Sequence, residues 1–241
     1  LLTPPQVNAQ VGTWQVINGE QGDVLAADLP AGTFRTFTDV VVGHAGAGQF
    51  GFRVASPASL EGYWASRNGR FTRYTQLNAG GALGPGRGGA EAAHQCLGVN
   101  INQGDASADG QRAFVGRAAD PANLIAASYG LWRWNGSSNI EFARADTDGA
   151  LGPGLGAGFR FPNNSGFGQA RVANSGVAVV NATVNSPSNL QSQVVFKHVP
   201  GQGNQACLQT GSTDPALSPG LTGADSFMTF NAGLERVAVS A

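Results

Sequence analysis

The sequence predicts an all-β protein, a β-propeller of four repeats, on three observations. The first is a recurring strand-to-turn element. The interval from Trp64 to Pro85 recurs unchanged from Trp132 to Pro153, each Pro lying in an Ala-Leu-Gly-Pro-Gly turn. A looser copy has Phe196 in the Trp slot and Ala216-Leu217-Ser218-Pro219-Gly220 as the turn; a shorter one has Trp14 and Leu29-Pro30-Ala31-Gly32. The second observation is a Gly turn followed by an apolar strand, opening at near-even intervals at Gly48, Gly110, Gly176 and Gly233. The third is the near absence of helical periodicity: Gly88–Leu97, the longest helix-tolerant stretch, opens on two glycines and supports one or two turns at most. Elsewhere short alternating runs lie between Gly, Asn, Asp, Ser and Pro clusters, the pattern of strands joined by tight turns.

Each unit reads as post-turn strand, Gly turn, inner strand, Trp strand, hairpin, last strand and Pro-Gly turn. That is the strand content of one propeller blade. The units run roughly 33–86, 87–154 and 155–220, with 221–241 and 1–32 together making the fourth. The sequence begins just before the Trp strand Val11-Gly12-Thr13-Trp14 and stops at the end of a Gly-turn strand. Pairing of the two ends in one blade is therefore expected, since closure removes free sheet edges. A window from a longer array, a sandwich and a β-helix are the alternatives.

Composition bounds the class. The 241 residues suffice for one all-β domain. Charged residues are 12%, about half the usual share, and the 36 Gly about twice it. The 14 basic residues are scattered without a patch, and the net charge is −1, which gives no electrostatic reason to expect nucleic acid. No apolar run approaches the length of a membrane span. Low charge and polar, turn-rich β character fit an exported protein, whether secreted, periplasmic or on the cell surface. Cys96 and Cys207 leave two alternatives: one disulfide, or two buried free thiols.

The Gly-x-Trp strand, the Leu-Gly-Pro-Gly turn and the Asn/Asp-x-Gly-x-x-x-Phe/Val strand resemble the tandem repeats of bacterial secreted choice-of-anchor proteins. The resemblance covers most of the chain and implies export and a β-repeat fold, with no activity to carry over. The third unit departs from it by lacking the Trp, and the Trp14 unit has a shorter hairpin.

Candidate chemistry is sparse. Asp105-Ala106-Ser107-Ala108-Asp109-Gly110 matches the opening of a calcium loop, with oxygens of Asp105, Ser107 and Asp109 at alternate positions. The twelfth position is Gly116 where a bidentate Glu belongs, and Asp-Gly also suits the repeated turn for backbone reasons alone. Calcium is the only cofactor these residues suggest, and the structural turn is the first reading. Asp146-Thr147-Asp148-Gly149 is a second acidic turn whose counterparts do not keep the carboxylate pair. His44, His94 and His198 lie at different phases of the repeat, without metal-ligand spacing. Glu61, Glu141 and Glu235 are paired-carboxylate candidates only because acids are rare; solvated strand residues are the plainer reading. No Gly-x-Ser-x-Gly elbow and no phosphate loop occur.

Trp14, Trp64 and Trp132 share one phase and are expected to pack blade against blade. Trp134 should point the same way as Trp132, and with Tyr63 and Tyr129 it is the candidate platform for a sugar or an interface. The expected function is a non-catalytic extracytoplasmic structural or interaction module, with another protein or further copies of itself as partner. The alternative is a carbohydrate-binding or glycan-acting propeller that uses its central funnel, an analogy of fold alone.

Overall fold

The computed structural model describes residues 33–42, 48–55, 60–67, 70–107, 110–163, 166–217, 226–230 and 237–240. All regular structure there beyond short 3-10 turns is β. The strands are β1 (Thr33–Val42), β2 (Gly48–Ala55), β3 (Leu60–Arg67), β4 (Arg70–Gln76), β5 (Gln95–Ala106), β6 (Arg112–Asp120) and β7 (Asn123–Trp134). They continue as β8 (Asn139–Arg144), β9 (Phe167–Val172), β10 (Ala178–Asn185), β11 (Gln191–Val199), β12 (Gly203–Gln209), β13 (Ser226–Phe230) and β14 (Val237–Ser240). They form three antiparallel four-stranded sheets, β1–β4, β5–β8 and β9–β12, each in chain order, and a two-stranded hairpin, β13–β14. Trp14 and the expected closing strands of residues 1–32 lie outside the described residues.

The three sheets are built alike. The third strand carries Trp64, Trp132 or Phe196, opposite Phe50, Phe114 or Val180 on the second strand. In all three the register between third and fourth strands slips immediately before that aromatic, at Tyr63/Trp64, Leu131/Trp132 and Val195/Phe196. Such a slip bends and twists a strand locally. The Gly-x-Trp motif has a steric cause. A Cβ at Gly62 would lie 2.7 Å from the Trp64 ring, and one at Gly130 would lie 2.7 Å from the Trp132 ring. The indole folds back over the glycine two residues earlier.

The second sheet is buried on both faces. Tyr63 and Tyr74 of the first sheet pack with Phe114, Ala118, Trp132 and Trp134 of the second. Ala113, Val115, Leu131 and Ala143, on the opposite face, share a core with Phe167, Val172, Val180 and Phe196 of the third. This explains why β6 is almost continuously buried while β10 alternates buried and half-exposed. The opening strands also pack in succession, β1 on β5 and β5 on β9. Sheets packed face to face stack at a spacing of about 10 Å.

Cys96 and Cys207 are free thiols, which removes the disulfide alternative. Cys96 is on the first strand of the second sheet and Cys207 on the last strand of the third. Each thiol turns to its own strand, donating to Gly98 O at 3.7 Å and to Gln205 O at 3.6 Å. Burial pushes both thiols up from their ordinary value.

Candidate functional site

The connections from one sheet to the next carry most of the polar chemistry. Two of them have the same shape. Asn78 and Asp146 take left-handed φ values of 59° and 56°, and 3-10 turns follow at Gly81–Leu83 and Gly149–Leu151. The Leu-Gly-Pro-Gly segment then lies on the next sheet's outermost strand. Asn139, at the start of β8, donates through Nδ2 to Tyr74 O (2.9 Å) and Gly84 O (2.8 Å) of the preceding unit. Asn204, at the start of β12, does the same to Phe142 O (2.7 Å) and Gly152 O (2.8 Å). Gly86 and Gly154 close the approach, since a Cβ on either would lie 2.0 and 2.6 Å from the carbonyl oxygens of Asn139 and Asn204. One carboxamide thus latches each sheet to the one before it.

Because Asn139 is only 2% exposed, removing its donor strands two buried carbonyls. Asn139→Ala is expected to cost about 1–3 kcal/mol in urea denaturation, and Asn204→Ala, at a half-buried site, less. A loss below about 0.5 kcal/mol at Asn139, the range of an ordinary surface change, would show that the latch contributes nothing.

An ion cluster sits on the first of these connections. Arg87 Nε and Nη2 bind Glu141 of β8 in bidentate fashion at 2.9 and 2.7 Å, with side chains 3% and 6% exposed. Arg87 also donates to Ser128 Oγ (2.8 Å) and to His94 Nδ1 (2.9 Å); a guanidinium only donates, so that nitrogen is the acceptor. Its guanidinium lies 5.8 Å from the centroid of the Trp132 ring. Arg144 bridges Glu141 to Glu91, meeting Glu91 at 3.0 and 2.8 Å. Burial opposes ionisation of Glu91, but Arg144, by hydrogen bond and charge, with Arg87 and His94, overrides it and holds the carboxyl below its ordinary value. Two guanidiniums and two carboxylates neutralise each other, so the cluster fastens the segment to the sheet.

His198 of β11 is buried, stacks on Phe142 at 4.6 Å and meets Asn204 Oδ1 through Nδ1 at 3.1 Å. Burial lowers its pKa from the ordinary 6.5; the Asn204 bond opposes this and the Arg133 charge adds to it. A base with a depressed folded pKa stabilises the fold above its unfolded pKa and loses that contribution as pH falls through the folded one. The Tm is therefore expected to fall between about pH 7 and pH 5, and the fall should shrink in His198→Phe. An unchanged slope in that variant would assign the loss to other groups.

The remaining candidates separate. Asp105 is buried, and its Oδ2 accepts the Val172 N–H of the third sheet at 3.1 Å. Ser107 Oγ accepts the Gln111 N–H at 3.1 Å, closing the β5–β6 turn, and Asp109 lies outside the described residues. Among the described residues no group of three His, Cys, Asp or Glu side chains is placed to hold a metal. Asp105 and Ser107 thus serve the sheet-to-sheet contact and the turn. Asp148 accepts the Gly158 N–H (3.3 Å), and Asp146 faces Arg160 at 3.9 Å on the surface. His94 and His198 serve different connections, and His44 and Glu235 lie outside the described residues. Glu61 pairs in register with Arg53 in the first sheet, and Glu141 is on the second.

Of the three aromatic platform candidates, two are core residues. Trp134 is 6% exposed and Tyr63 4%, and the Tyr63 hydroxyl donates to Val99 O at 3.5 Å across the first two sheets. The structure corrects the expectation of an open platform at these two, because the face they share is covered by the neighbouring sheet. Tyr129 alone is half-exposed. It lines a depression of about 400 Å³ on the second sheet with Arg117, Leu97, Val99 and Val115. The Arg117 guanidinium lies 5.7 Å from the centroid of the Tyr129 ring.

Sequence reasoning missed the hairpins between second and third strands. Ile125 is 96% exposed, Leu124 51% and Leu190 71%. They follow Pro121-Ala122-Asn123 and Pro187-Ser188-Asn189, and Pro57-Ala58-Ser59-Leu60 stands at the matching point of the first unit, with residues 56–59 outside the described ones. The recurring Pro-x-x-Leu was the available signal. No protein-family model matches the chain and no curated protein matches its sequence. Among the described residues no helix is long and apolar enough to cross a membrane.

Proposed function

We propose that this chain is a non-catalytic extracytoplasmic interaction module, a four-bladed β-propeller of the choice-of-anchor repeat type. In this arrangement residues 1–32 complete the sheet begun by β13 and β14. The second sheet, buried on both faces between two sheets of the same topology, supports stacking of blades. The ionic cluster and the two carboxamide latches support a structural use of the polar groups. The observation that carries the interaction reading is the apolar hairpin tip of Leu124 and Ile125, repeated at Leu190. A nearly fully exposed Ile beside a half-exposed Leu is stable in water but gains from burial against a second protein.

Native mass spectrometry on protein drawn from its own source tests this. A stoichiometric companion, lost when Leu124 and Ile125 are both changed to Asp, is the expected result. A lone chain that is indifferent to the double change would overturn the reading. Glycan recognition is a second reading, favoured by the tyrosine-lined depression on the second sheet.

A further inference from the structure

The geometry points to the depression beside Tyr129 as a binding site for a carboxylate-bearing saccharide of the uronic acid class, an inference that rests on the glycan reading above. The volume, about 400 Å³, is within the range of small-ligand sites and suits one or two sugar rings. Its floor is made by Gly98, where the absence of a side chain leaves open space for a ring close to the backbone, by the backbone of Gly116, and by the apolar Leu97 and Val115. Gly116 is fixed as glycine by the opposite face of its sheet, since a Cβ there would meet the Trp132 ring at 3.1 Å and Gly98 O at 3.1 Å.

The rim is polar and held in place. β5 slips register widely between Asn100 and Asp105, so several of its residues face a single residue of β6, and the strand bulges away there. Asn100 Nδ2 donates to Gln103 Oε1 at 2.9 Å, and Gln103 Nε2 donates to Phe167 O of the third sheet at 2.9 Å. The two amides are thereby pinned between sheets beside the opening, in reach of ligand hydroxyls.

The charge is one-sided. Among the described lining residues Arg117 is the only ionisable side chain other than the tyrosine, and none is a carboxylate. Among the described residues its guanidinium has no acidic partner, in contrast to Arg87 and Arg144, and its contact is the Tyr129 ring. An exposed guanidinium braced on an aromatic ring keeps its planar fork available for bidentate binding of a carboxylate. A neutral sugar leaves that fork unused, which is why the acidic class is favoured over neutral glycans. An extended acidic peptide would present charges along its length to a depression with one cation.

Calorimetric titration of the whole chain with trisaccharides of galacturonate, glucuronate and mannuronate, beside the neutral trisaccharides of galactose, glucose and mannose, tests this. One uronate is expected to bind at least tenfold more tightly than its neutral counterpart. Arg117→Gln is expected to weaken it by about tenfold to a hundredfold, the worth of a charge-assisted hydrogen bond, and Arg117→Lys by less. Arg160→Gln, an exposed cation elsewhere, should change nothing, and all three variants should keep the parent's melting temperature, since Arg117 is exposed. Neutral and acidic sugars binding alike, with Arg117→Gln indifferent, would overturn the carboxylate inference and leave the glycan reading standing. No sugar binding at millimolar concentration would overturn both, and a polyglutamate peptide outcompeting every uronate would replace the saccharide with a protein partner.

Discussion

Replacing Glu141 with alanine is expected to destabilise the protein by about 3–5 kcal/mol, the cost of leaving a buried charge without its partner. Arg87 is 3% exposed and commits Nε and Nη2 to that carboxylate. With Glu141 gone, Arg87 keeps His94 and Ser128, neither negatively charged, and a carboxylate only in the more exposed Glu91, 3.9 Å from Nη1 and beyond hydrogen-bond reach. Arg144 loses one of its two carboxylates and keeps Glu91. Guanidinium chloride would screen the very charges at issue, so the measurement is urea denaturation near neutral pH. Changing both partners, Arg87→Met with Glu141→Leu, is expected to recover much of the loss, because an apolar pair of similar volume removes the desolvation cost with the attraction. If Glu141→Ala costs less than about 1 kcal/mol, the pair behaves as an exposed surface bridge and the segment between the sheets is held by something else.

Trp132→Ala is the second large effect, expected at about 3–5 kcal/mol from lost apolar burial and the cavity left behind. The indole is 2% exposed, stacks on Phe114 with centroids 6.0 Å apart, and donates through Nε1 to Pro85 O at 2.9 Å. It therefore joins the Leu-Gly-Pro-Gly turn of one unit to the third strand of the next. Trp132→Phe keeps the packing but leaves that buried carbonyl unpaired, so it should cost about 1–3 kcal/mol. The third sheet has Phe196 at this position, packed against Phe161 at 5.2 Å instead. Heat or urea unfolding of the two variants separates ring volume from the hydrogen bond. Equal losses in Trp132→Ala and Trp132→Phe would assign the effect to the Nε1 donor alone.

The all-β class was legible because the alternation and the turn residues are local signals. The Gly-x-Trp spacing was legible for a reason now visible: the glycine is the space into which the indole folds. Alternation also placed Trp134 on the face of Trp132, but it could not say that another sheet covers that face, and so Trp134 and Tyr63 read as surface. Coverage is a property of stacking between units, which no run of residues records. The ion cluster escaped for the same reason, since Arg87 and Glu141 are distant in sequence and meet only when one unit's turn lies on the next unit's strand. Asn139 and Asn204 look like ordinary hairpin residues until their carboxamides are seen reaching backwards. Asp105 stood as a calcium candidate beside the structural-turn reading because oxygens at alternate positions are common to calcium loops and tight turns. Its use as an acceptor for Val172 N–H depends on a neighbouring sheet.

The most direct test of ring closure is a distance. Spin labels placed on β1 of the first sheet and on β13 of the last hairpin report whether the stack closes. In a closed ring of four the two are neighbours, and the sheet spacing of about 10 Å with the label arms predicts a separation below about 25 Å. An open stack puts three such spacings between them, about 30 Å before the labels are counted. A single short distance would establish the ring, and a distribution centred at the open-stack separation or longer would contradict it.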